Sequence, residues 1–222
     1  MTSVPKARRT PLNRARVLAV AIALADAEGI EVLSMRRLGR ELGVEAMSLY
    51  NHVGNKDDLL DGMLDQVAAE IELPADDSAG GADWRHAARR RAISAHAVLM
   101  RHPWAAAMWI SRLTIGPARM RYADGVLRSL REAGFGHGSL DRAYHTIENH
   151  IVGHALQALG FPLDTGELEQ AAESFLSSFA EEEYPDLAAH VQYHVENPTD
   201  DDEFEFGLTL ILDGLDPLRD AR

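Results

Sequence analysis

The sequence of 222 residues contains no cysteine, so disulfide bonds and thiolate chemistry are excluded. This absence fits the reducing cytoplasm, where we expect the protein to lie. No window holds the roughly 18 consecutive apolar residues of a membrane-spanning helix, so we expect no membrane partner. Sustained strand-type alternation is also missing, whereas apolar residues recur at helical spacing. The sequence therefore predicts an all-α protein.

The sequence also lacks the nucleophile–base pairs and metal motifs of catalytic sites. His150 and His154 have the spacing of the two histidines in zinc hydrolases, but Ile151 stands where those enzymes have a glutamate base. His145 and Glu148 are further candidate ligands one turn earlier. Histidines lining a polar spot in a pocket or an interface are the competing interpretation. We predict no metal, no cofactor and no catalytic residue.

The net charge of −13, taken alone, argues against nucleic acid as a partner. Residues 1–58, however, hold nine Lys or Arg against seven Asp or Glu, whereas residues 59–222 hold thirteen against twenty-eight. Five basic residues precede the first acidic residue, Asp26. A basic end on an acidic body is typical of a protein that attracts DNA to one face.

Residues 34–56 predict two short helices joined by a tight turn. Ser34 is a good N-cap for the first helix. Apolar residues then follow at i, i+3 and i+7 and predict one buried stripe, formed by Met35, Leu38 and Leu42. Gly43 suits the left-handed backbone conformation that ends a helix and permits the turn.

The second of these helices is predicted over residues 45–52, with one buried and one exposed face. The buried face consists of Ala46, Leu49 and Val53, and the exposed face of Met47, Ser48, Tyr50, Asn51 and His52. An exposed face with hydroxyl, amide, imidazole and aromatic groups suits base edges and phosphates. An ordinary solvated helix would be dominated by Glu and Lys.

This segment resembles the DNA-binding domain of the TetR family of repressors. The pattern GxxxLSxRxLxxxLGV begins at Gly29, and LYxHVxxKxxLL begins at Leu49. The resemblance implies that Arg36 and the recognition helix contact bases and phosphates, with Ser34 and Lys56 on the DNA backbone. The predicted DNA-binding residues are Ser34, Arg36, Met47, Ser48, Tyr50, Asn51, His52 and Lys56.

A first helix is predicted from its cap Asn13 to Glu28. Two arginines, an apolar run and the tripeptide Ala25-Asp26-Ala27 also imitate a secretory signal with its cleavage site. The resemblance favours the helix, because the family needs this segment to support the two-helix motif.

Three units are expected along the chain: a flexible basic arm (1–12), a helix-turn-helix DNA-binding domain (13–58) and a C-terminal ligand-binding and dimerisation domain (59–222). A fourth helix begins after its cap Asn55 and runs to about Glu72. Further helices are predicted over residues 84–101, 104–110, 117–133, 139–159 and 203–215. The acidic stretch 161–202 is expected to carry one or two loosely packed helices.

The C-terminal part resembles, less specifically, the C-terminal domain of the tetracycline-repressor branch. Trp84, the Glu132-Ala-Gly-Phe segment, the segment 151–156 and the segment 204–215 carry this likeness. It implies a homodimer in which the family's eighth and tenth helices form a four-helix interface. The predicted interface residues are Ile147, Ile151, His154, Ala155, Phe204, Leu208, Ile211, Leu212 and Leu215. A stripe buried within one chain is the alternative.

Bulky apolar and polarisable residues are concentrated in the predicted helices four to eight. They are Met63, Val67, Leu99, Trp104, Met108, Trp109, Leu113 and Met120, accompanied by the polar residues His96, His145, Glu148 and Asn149. Such a set favours an apolar pocket with a few orienting groups and a hydrophobic inducer, with ordinary core packing as the alternative. The metal-chelating histidine of the tetracycline repressor would fall near Met108 or Trp109, which disfavours a magnesium-bound tetracycline.

The run Arg89-Arg90-Arg91 is a candidate anion site, but three consecutive residues cannot share one helical face. A solvated surface with one arginine turned inward is the alternative. Taken together, these features predict a homodimeric repressor that binds palindromic double-stranded operator DNA and is released by a small-molecule inducer. A small helical enzyme with a vestigial DNA-binding module, or a ligand-insensitive DNA-binding regulator, are the alternatives.

Overall fold

The computed structural model describes residues 11–73, 84–112, 114–160, 165–180, 182–197 and 203–219. These residues form α-helices, two short 3-10 turns and connecting segments, without a strand among them. The prediction of an all-α fold is therefore confirmed. The predicted arm lies almost wholly outside the described residues.

The α-helices are Arg14–Glu28 (α1), Met35–Leu42 (α2), Ala46–Leu49 (α3), Lys56–Ala68 (α4), Trp84–Arg101 (α5), Pro103–Ser111 (α6), Pro117–Glu132 (α7), His137–Gly160 (α8), Thr165–Leu176 (α9), Pro185–Glu196 (α10) and Glu203–Leu215 (α11). Helices α1 to α3 form an N-terminal head. In the body, α5, α6, α7 and α11 all pack against α8, while α9 and α10 pack against each other. Helix α4 contacts α1 in the head and α5, α6 and α7 in the body. The expected domain boundary at residue 58 thus falls in the first turn of α4.

Local capping chemistry sets the starts of α1, α2 and α4 as the sequence predicts. Asn13 Oδ1 accepts a hydrogen bond from the backbone N–H of Arg16, and Asn55 Oδ1 accepts one from that of Asp58, both at 2.8 Å. The hydroxyl of Ser34 accepts from the third residue of its helix at 3.2 Å. Gly43 ends α2 in the left-handed conformation with φ of 67°. Each cap satisfies a backbone group that the helix itself leaves unpaired.

Two helices are shorter than the sequence indicates. Helix α3 ends at Leu49 rather than at residue 52, because residues 50–52 continue in tighter turns with i→i+3 hydrogen bonds. This tightening brings Val53 into the core directly before the cap of α4. Helix α4 likewise ends at Ala68 rather than Glu72, and a tight turn then buries Ile71.

Candidate nucleic-acid interface and buried polar cluster

The surface formed by α3 and the turn after it combines a buried side with an exposed polar and aromatic side. Leu49 and Val53 are fully buried beneath it. Met47 is 75% exposed and Tyr50 is 45% exposed, and Asn51 is exposed beside them. These three positions are at i, i+3 and i+4, so their side chains lie on one face. We call this surface the recognition face.

The other residues of the predicted DNA set lie close to this face in sequence and differ in exposure. Arg36 is exposed in the first turn of α2, and Lys56 is exposed in the first turn of α4. Ser48 and His52 are half-buried. The hydroxyl oxygen of Ser34 already accepts a hydrogen bond as the cap of α2. A contact from Ser34 to DNA would therefore use an oxygen that is also engaged in capping.

A salt bridge fixes the recognition face to the helices on both sides of it. Arg14 donates to the two carboxylate oxygens of Asp58 at 2.7 and 2.8 Å, and also to the carbonyl oxygen of His52 at 3.0 Å. Asp58 in turn accepts from the backbone N–H of Gly54 at 2.7 Å. The hydrogen bond from Arg14 lowers the pKa of Asp58. The start of α1, the recognition face and the start of α4 are thereby held together. The sequence does not predict this pair, because no local pattern joins residues this far apart.

A second polar contact joins α1 of the head to α6 of the body. Asp26 Oδ1 accepts hydrogen bonds from Trp104 Nε1 at 2.7 Å and from His102 Nδ1 at 2.8 Å. The other ring nitrogen of His102 lies 3.3 Å from Glu70 Oε2, which also accepts from Arg101 at 2.8 Å. Trp104, predicted to line a ligand pocket, therefore contacts the head instead.

Helix α4 is tied to the body by its own acidic residues. Arg112, directly after α6, donates to Asp57 at 3.1 Å and also to Asp61. Asp65 Oδ1 accepts from the first free backbone N–H groups of α7, those of Ala118 at 2.8 Å and Arg119 at 3.0 Å. Asp65 therefore caps α7 from a neighbouring helix. Any displacement of α6 or α7 must move α4 or break these bonds.

Among the described residues, the members of the predicted ligand-binding set lie in different environments. Met63, Val67 and Leu99 are buried in the core. By contrast, three members are exposed on the surface: Met120, His145 and Asn149. His96 faces α8 and α11 rather than α6, and Leu113 lies outside the described residues. Met108 and Trp109 are half-buried at the edge of the core.

One part of the predicted set does form a buried polar cluster. The carboxylate of Glu148 accepts hydrogen bonds from Tyr122, at 2.5 Å, and from the side chain of Trp109. Burial raises the pKa values of Glu148 and Tyr122. The guanidinium of Arg119 lies 4.8 Å from the Trp109 ring centroid and donates to the Trp109 carbonyl oxygen at 2.8 Å. We call these four residues the Glu148 cluster.

A cavity of only about 10 Å³ lies beside the Glu148 cluster, with Ala88, Arg91 and Ala92 of α5 on its wall. It has room for about one water molecule. Arg91 is the buried member of the three-arginine run, whereas Arg89 pairs with Glu205 at 3.2 Å. The interpretation with one arginine turned inward is therefore confirmed. Tyr122 and Arg119 were not predicted, because nothing in their local sequence marks them as buried.

The histidines of α8 surround Phe204 of α11. His150 Nε2 lies 2.9 Å from the Phe204 carbonyl oxygen. His154 Nδ1 lies 3.0 Å from His96 Nε2, and the His96 ring stacks on Phe204 at 4.0 Å between centroids. Burial, followed by the neighbouring histidines, lowers the pKa of His96 to about 4. Three imidazoles thus pack around one phenyl ring, while His145 is exposed near Asp141.

The stripe predicted to form the dimer interface is mostly buried inside one chain. Seven of its members are buried among α5, α8 and α11, namely Ile147, Ile151, Ala155, Phe204, Leu208, Leu212 and Leu215, whereas Ile211 and His154 are half-buried. Their burial within one chain favours the alternative of an intramolecular stripe for these seven residues. Periodicity shows that a stripe is buried but not what covers it. The apolar residues that α11 does expose are Phe206, at 66%, and Leu210, at 58%.

Within the described residues, none of the helices has the length and apolar character needed to cross a bilayer.

Comparisons with known proteins agree with the arrangement of a head and a body. Residues 17–63 match the family described as bacterial regulatory proteins, tetR family, and residues 75–218 match the tetracyclin repressor-like C-terminal domain. The chain is 39% identical over 211 residues to the HTH-type transcriptional repressor DrrR1 of Streptomyces coeruleorubidus, covering 91% of this chain and 77% of that protein. It is 31% identical over 211 residues to the tetracycline repressor protein class C of Escherichia coli, covering 93% and 91% of the two chains.

A solved structure shows the same fold. The TetR family protein ActR of Streptomyces coelicolor in complex with actinorhodin superposes with a TM-score of 0.75 at 30% identity, covering 93% of this chain and 97% of ActR. The two family matches together span most of the chain, and the relatives align over nearly all of it. Both findings agree with the helix-turn-helix geometry of the head. The chain therefore belongs to the TetR family of transcriptional regulators.

Proposed function

We propose that this protein is a homodimeric transcriptional repressor that binds a palindromic operator and is released by a small, largely hydrophobic inducer. The observation that carries the proposal is the recognition face. Met47 and Tyr50 are exposed there, whereas Leu49 and Val53 on the opposite side are buried. An exposed methionine and tyrosine beside an asparagine match the apolar and hydrogen-bonding groups on base edges.

Contacts to DNA are divided among the head residues according to their chemistry. Arg36 is a candidate for a bidentate base contact, and Asn51 for an adenine contact. Lys56, Ser34, Ser48 and His52 are assigned to phosphates or to the edge of the groove. The salt bridge between Arg14 and Asp58 supports these contacts, because it fixes the recognition face before DNA arrives.

Dimerisation is assigned to the outward face of α8 and α11. Phe206 and Leu210 are one helical turn apart on α11, and large exposed apolar residues in neighbouring positions favour a protein interface. On α8, Gly153 is exposed, and a Cβ atom added to it would meet no atom within 4 Å. A partner helix would therefore approach closely at that point. A twofold dimer requires operator half-sites about one helical turn apart.

The inducer site is assigned to the Glu148 cluster and the core side chains beside it. Trp109 and Met108 offer polarisable surface, and the cluster offers hydrogen-bonding groups for orientation. The adjoining cavity of about 10 Å³ is too small for an inducer, so binding requires α6 and α7 to move away from α8. ActR, which has the same fold, has been solved with actinorhodin bound.

Helix α4 is proposed to carry the effect of the inducer to the head. Its aspartates hold Arg112 at the end of α6 and the first turn of α7, while Asp58 holds Arg14 of the head. Movement of α6 or α7 would therefore reorient the recognition faces of the two chains. Because coupling is reciprocal, an inducer that weakens operator binding must bind the DNA complex more weakly, typically by about 1–3 kcal/mol.

The test begins with selection of genomic DNA fragments by the purified protein, followed by mobility-shift titration of the enriched fragment. We expect a near-palindromic site bound by two chains. Candidate hydrophobic compounds are then titrated by tryptophan fluorescence, with and without operator, in wild type and in Trp109→Phe. Failure to enrich any DNA sequence would contradict the proposal that the protein is a DNA-binding regulator. Turnover of a compound by pure protein would favour an enzyme, and ligands that bind free and DNA-bound protein equally would favour a ligand-insensitive regulator.

A further inference from the structure

A groove with a volume of about 620 Å³ lies between α8, α9 and α10. Its walls are mostly apolar and include Ala158, Ala172, Phe175, Val191 and Val195. The Phe175 ring is 47% exposed. Sites for drug-sized molecules usually measure about 300–1,000 Å³ and are lined in this way. The groove shares no lining residue with the cavity beside the Glu148 cluster, so it is a separate site.

Polar groups also line the groove, and one of them, His154, is held in place by its neighbours. His154 projects from α8, while His190 and His194 stand one turn apart on α10 with ring centroids 4.6 Å apart. The His154 ring is fixed on two sides. Its Nδ1 atom lies 3.0 Å from His96 Nε2, and its plane meets Phe204 edge to face at 5.3 Å. Because Nδ1 is engaged, Nε2 is the ring nitrogen available to a molecule in the groove.

The available nitrogen and the neighbouring carboxylate restrict the chemistry of the ligand. In the contact between His96 and His154 either ring can be the donor, so His154 Nε2 is an acceptor in one arrangement and a donor in the other. A hydroxyl group satisfies both arrangements, because it donates and accepts. A carboxylate only accepts, and it would enter beside Glu203, which also lines the groove. We propose that this groove is a second small-molecule site, for a largely apolar ligand that carries a hydroxyl group.

This proposal goes beyond the assignment as a repressor and does not depend on it. Binding can be measured on the full chain without DNA. The probes are 2-naphthol, its methyl ether 2-methoxynaphthalene, and 2-naphthoate, which share one ring system. The readout is the set of histidine ring signals in the NMR spectrum of histidine-labelled protein, assigned by single substitutions.

We expect 2-naphthol to shift the signals of His154, His190 and His194 saturably while leaving His145 unchanged. The methyl ether should bind about tenfold more weakly, because it loses a hydrogen bond in a partly enclosed site. The naphthoate should also bind more weakly than 2-naphthol. No saturable shift of the three groove histidines, or equal binding of 2-naphthol and its ether, would overturn the proposal. Tighter binding of the naphthoate would overturn the assignment of a hydroxyl.

Two substitutions test the location. Ala171 lines the groove and is exposed, so Ala171→Trp should fill it and abolish the shifts. Ala97→Trp, at an exposed alanine of α5 that does not line the groove, is the matched control and should bind like wild type. His154→Leu should reduce the affinity for 2-naphthol to that for the ether. Undiminished binding in Ala171→Trp would place the ligand elsewhere.

Discussion

We expect His96 to make the folded protein sensitive to acid. Its ring is enclosed between α5, α8 and α11, where burial and then His154 and His150 lower its pKa to about 4 from an ordinary 6.5. The unfolded chain therefore binds a proton at a higher pH than the folded chain. The contribution of His96 to stability is complete above about pH 6.5 and is lost as the pH falls towards about 4.

The size of the effect follows from the two pKa values. At about pH 5 the unfolded ring is almost fully protonated, whereas about nine-tenths of the folded rings remain neutral. The resulting loss is about 2 kcal/mol relative to about pH 7.5. Because the ring is only partly buried, solvent screening makes this an upper limit.

Urea unfolding followed by far-UV circular dichroism at these two pH values, at one protein concentration, measures the difference. His96→Phe should keep the stack on Phe204 but remove the titrating group. Between about pH 7.5 and about pH 5 its free energy of unfolding should therefore decrease less than that of wild type, by up to about 2 kcal/mol. His145→Phe, at an exposed histidine of α8, should retain the full loss. Parallel losses in wild type and His96→Phe would refute the reasoning.

Three further predictions concern the dimer interface, the DNA contact and the capping of α7. Phe206→Asp should leave the chain folded but monomeric in sedimentation velocity, because its ring is exposed, whereas Leu208→Asp should destabilise the fold itself by about 3–5 kcal/mol because the site is fully buried. A Phe206→Asp protein that remains dimeric would exclude this face as the interface. Arg36→Ala should cost about 1–3 kcal/mol on the operator in mobility-shift titrations and little on random DNA, and equal losses would show that Arg36 contacts only phosphate. Gly116→Ala places a Cβ atom 2.3 Å from the carboxylate carbon that caps α7, and should lower thermal stability by about 1–2 kcal/mol. Gly125→Ala, inside α7, where the added Cβ atom would lie 3.7 Å from its nearest neighbour, should not lower it.

Local features of the fold were predictable because they depend on neighbours in sequence. The caps Asn13, Ser34 and Asn55 and the end at Gly43 all follow from the chemistry of single helix termini. The apolar stripes also identified the buried positions correctly. Leu208 and Ile151, for example, are both fully buried as their periodicity indicates.

Features that depend on tertiary packing were not predictable in the same way. The stripe around Leu208 specified burial, but only the packing of α11 on α8 shows that its cover is the same chain. The residues predicted to line one pocket are dispersed for a related reason. Trp104 and Met120 lie in consecutive helices, yet Trp104 donates to Asp26 of the head and Met120 is exposed. The relative rotation of two helices is set by all their contacts together, which composition and spacing do not contain.

The shortness of α3 has a consequence for engineering. Leu49 and Val53 hold the recognition face in the core, while Met47, Tyr50 and Asn51 are exposed. Exchanging those three side chains leaves both buried residues in place, and surface substitutions usually change stability by no more than about 0.5 kcal/mol. A library randomised at these positions would therefore vary operator preference while almost every member still folds. Under the proposed function, such a library would yield biosensors that keep one ligand response and report it from different promoters.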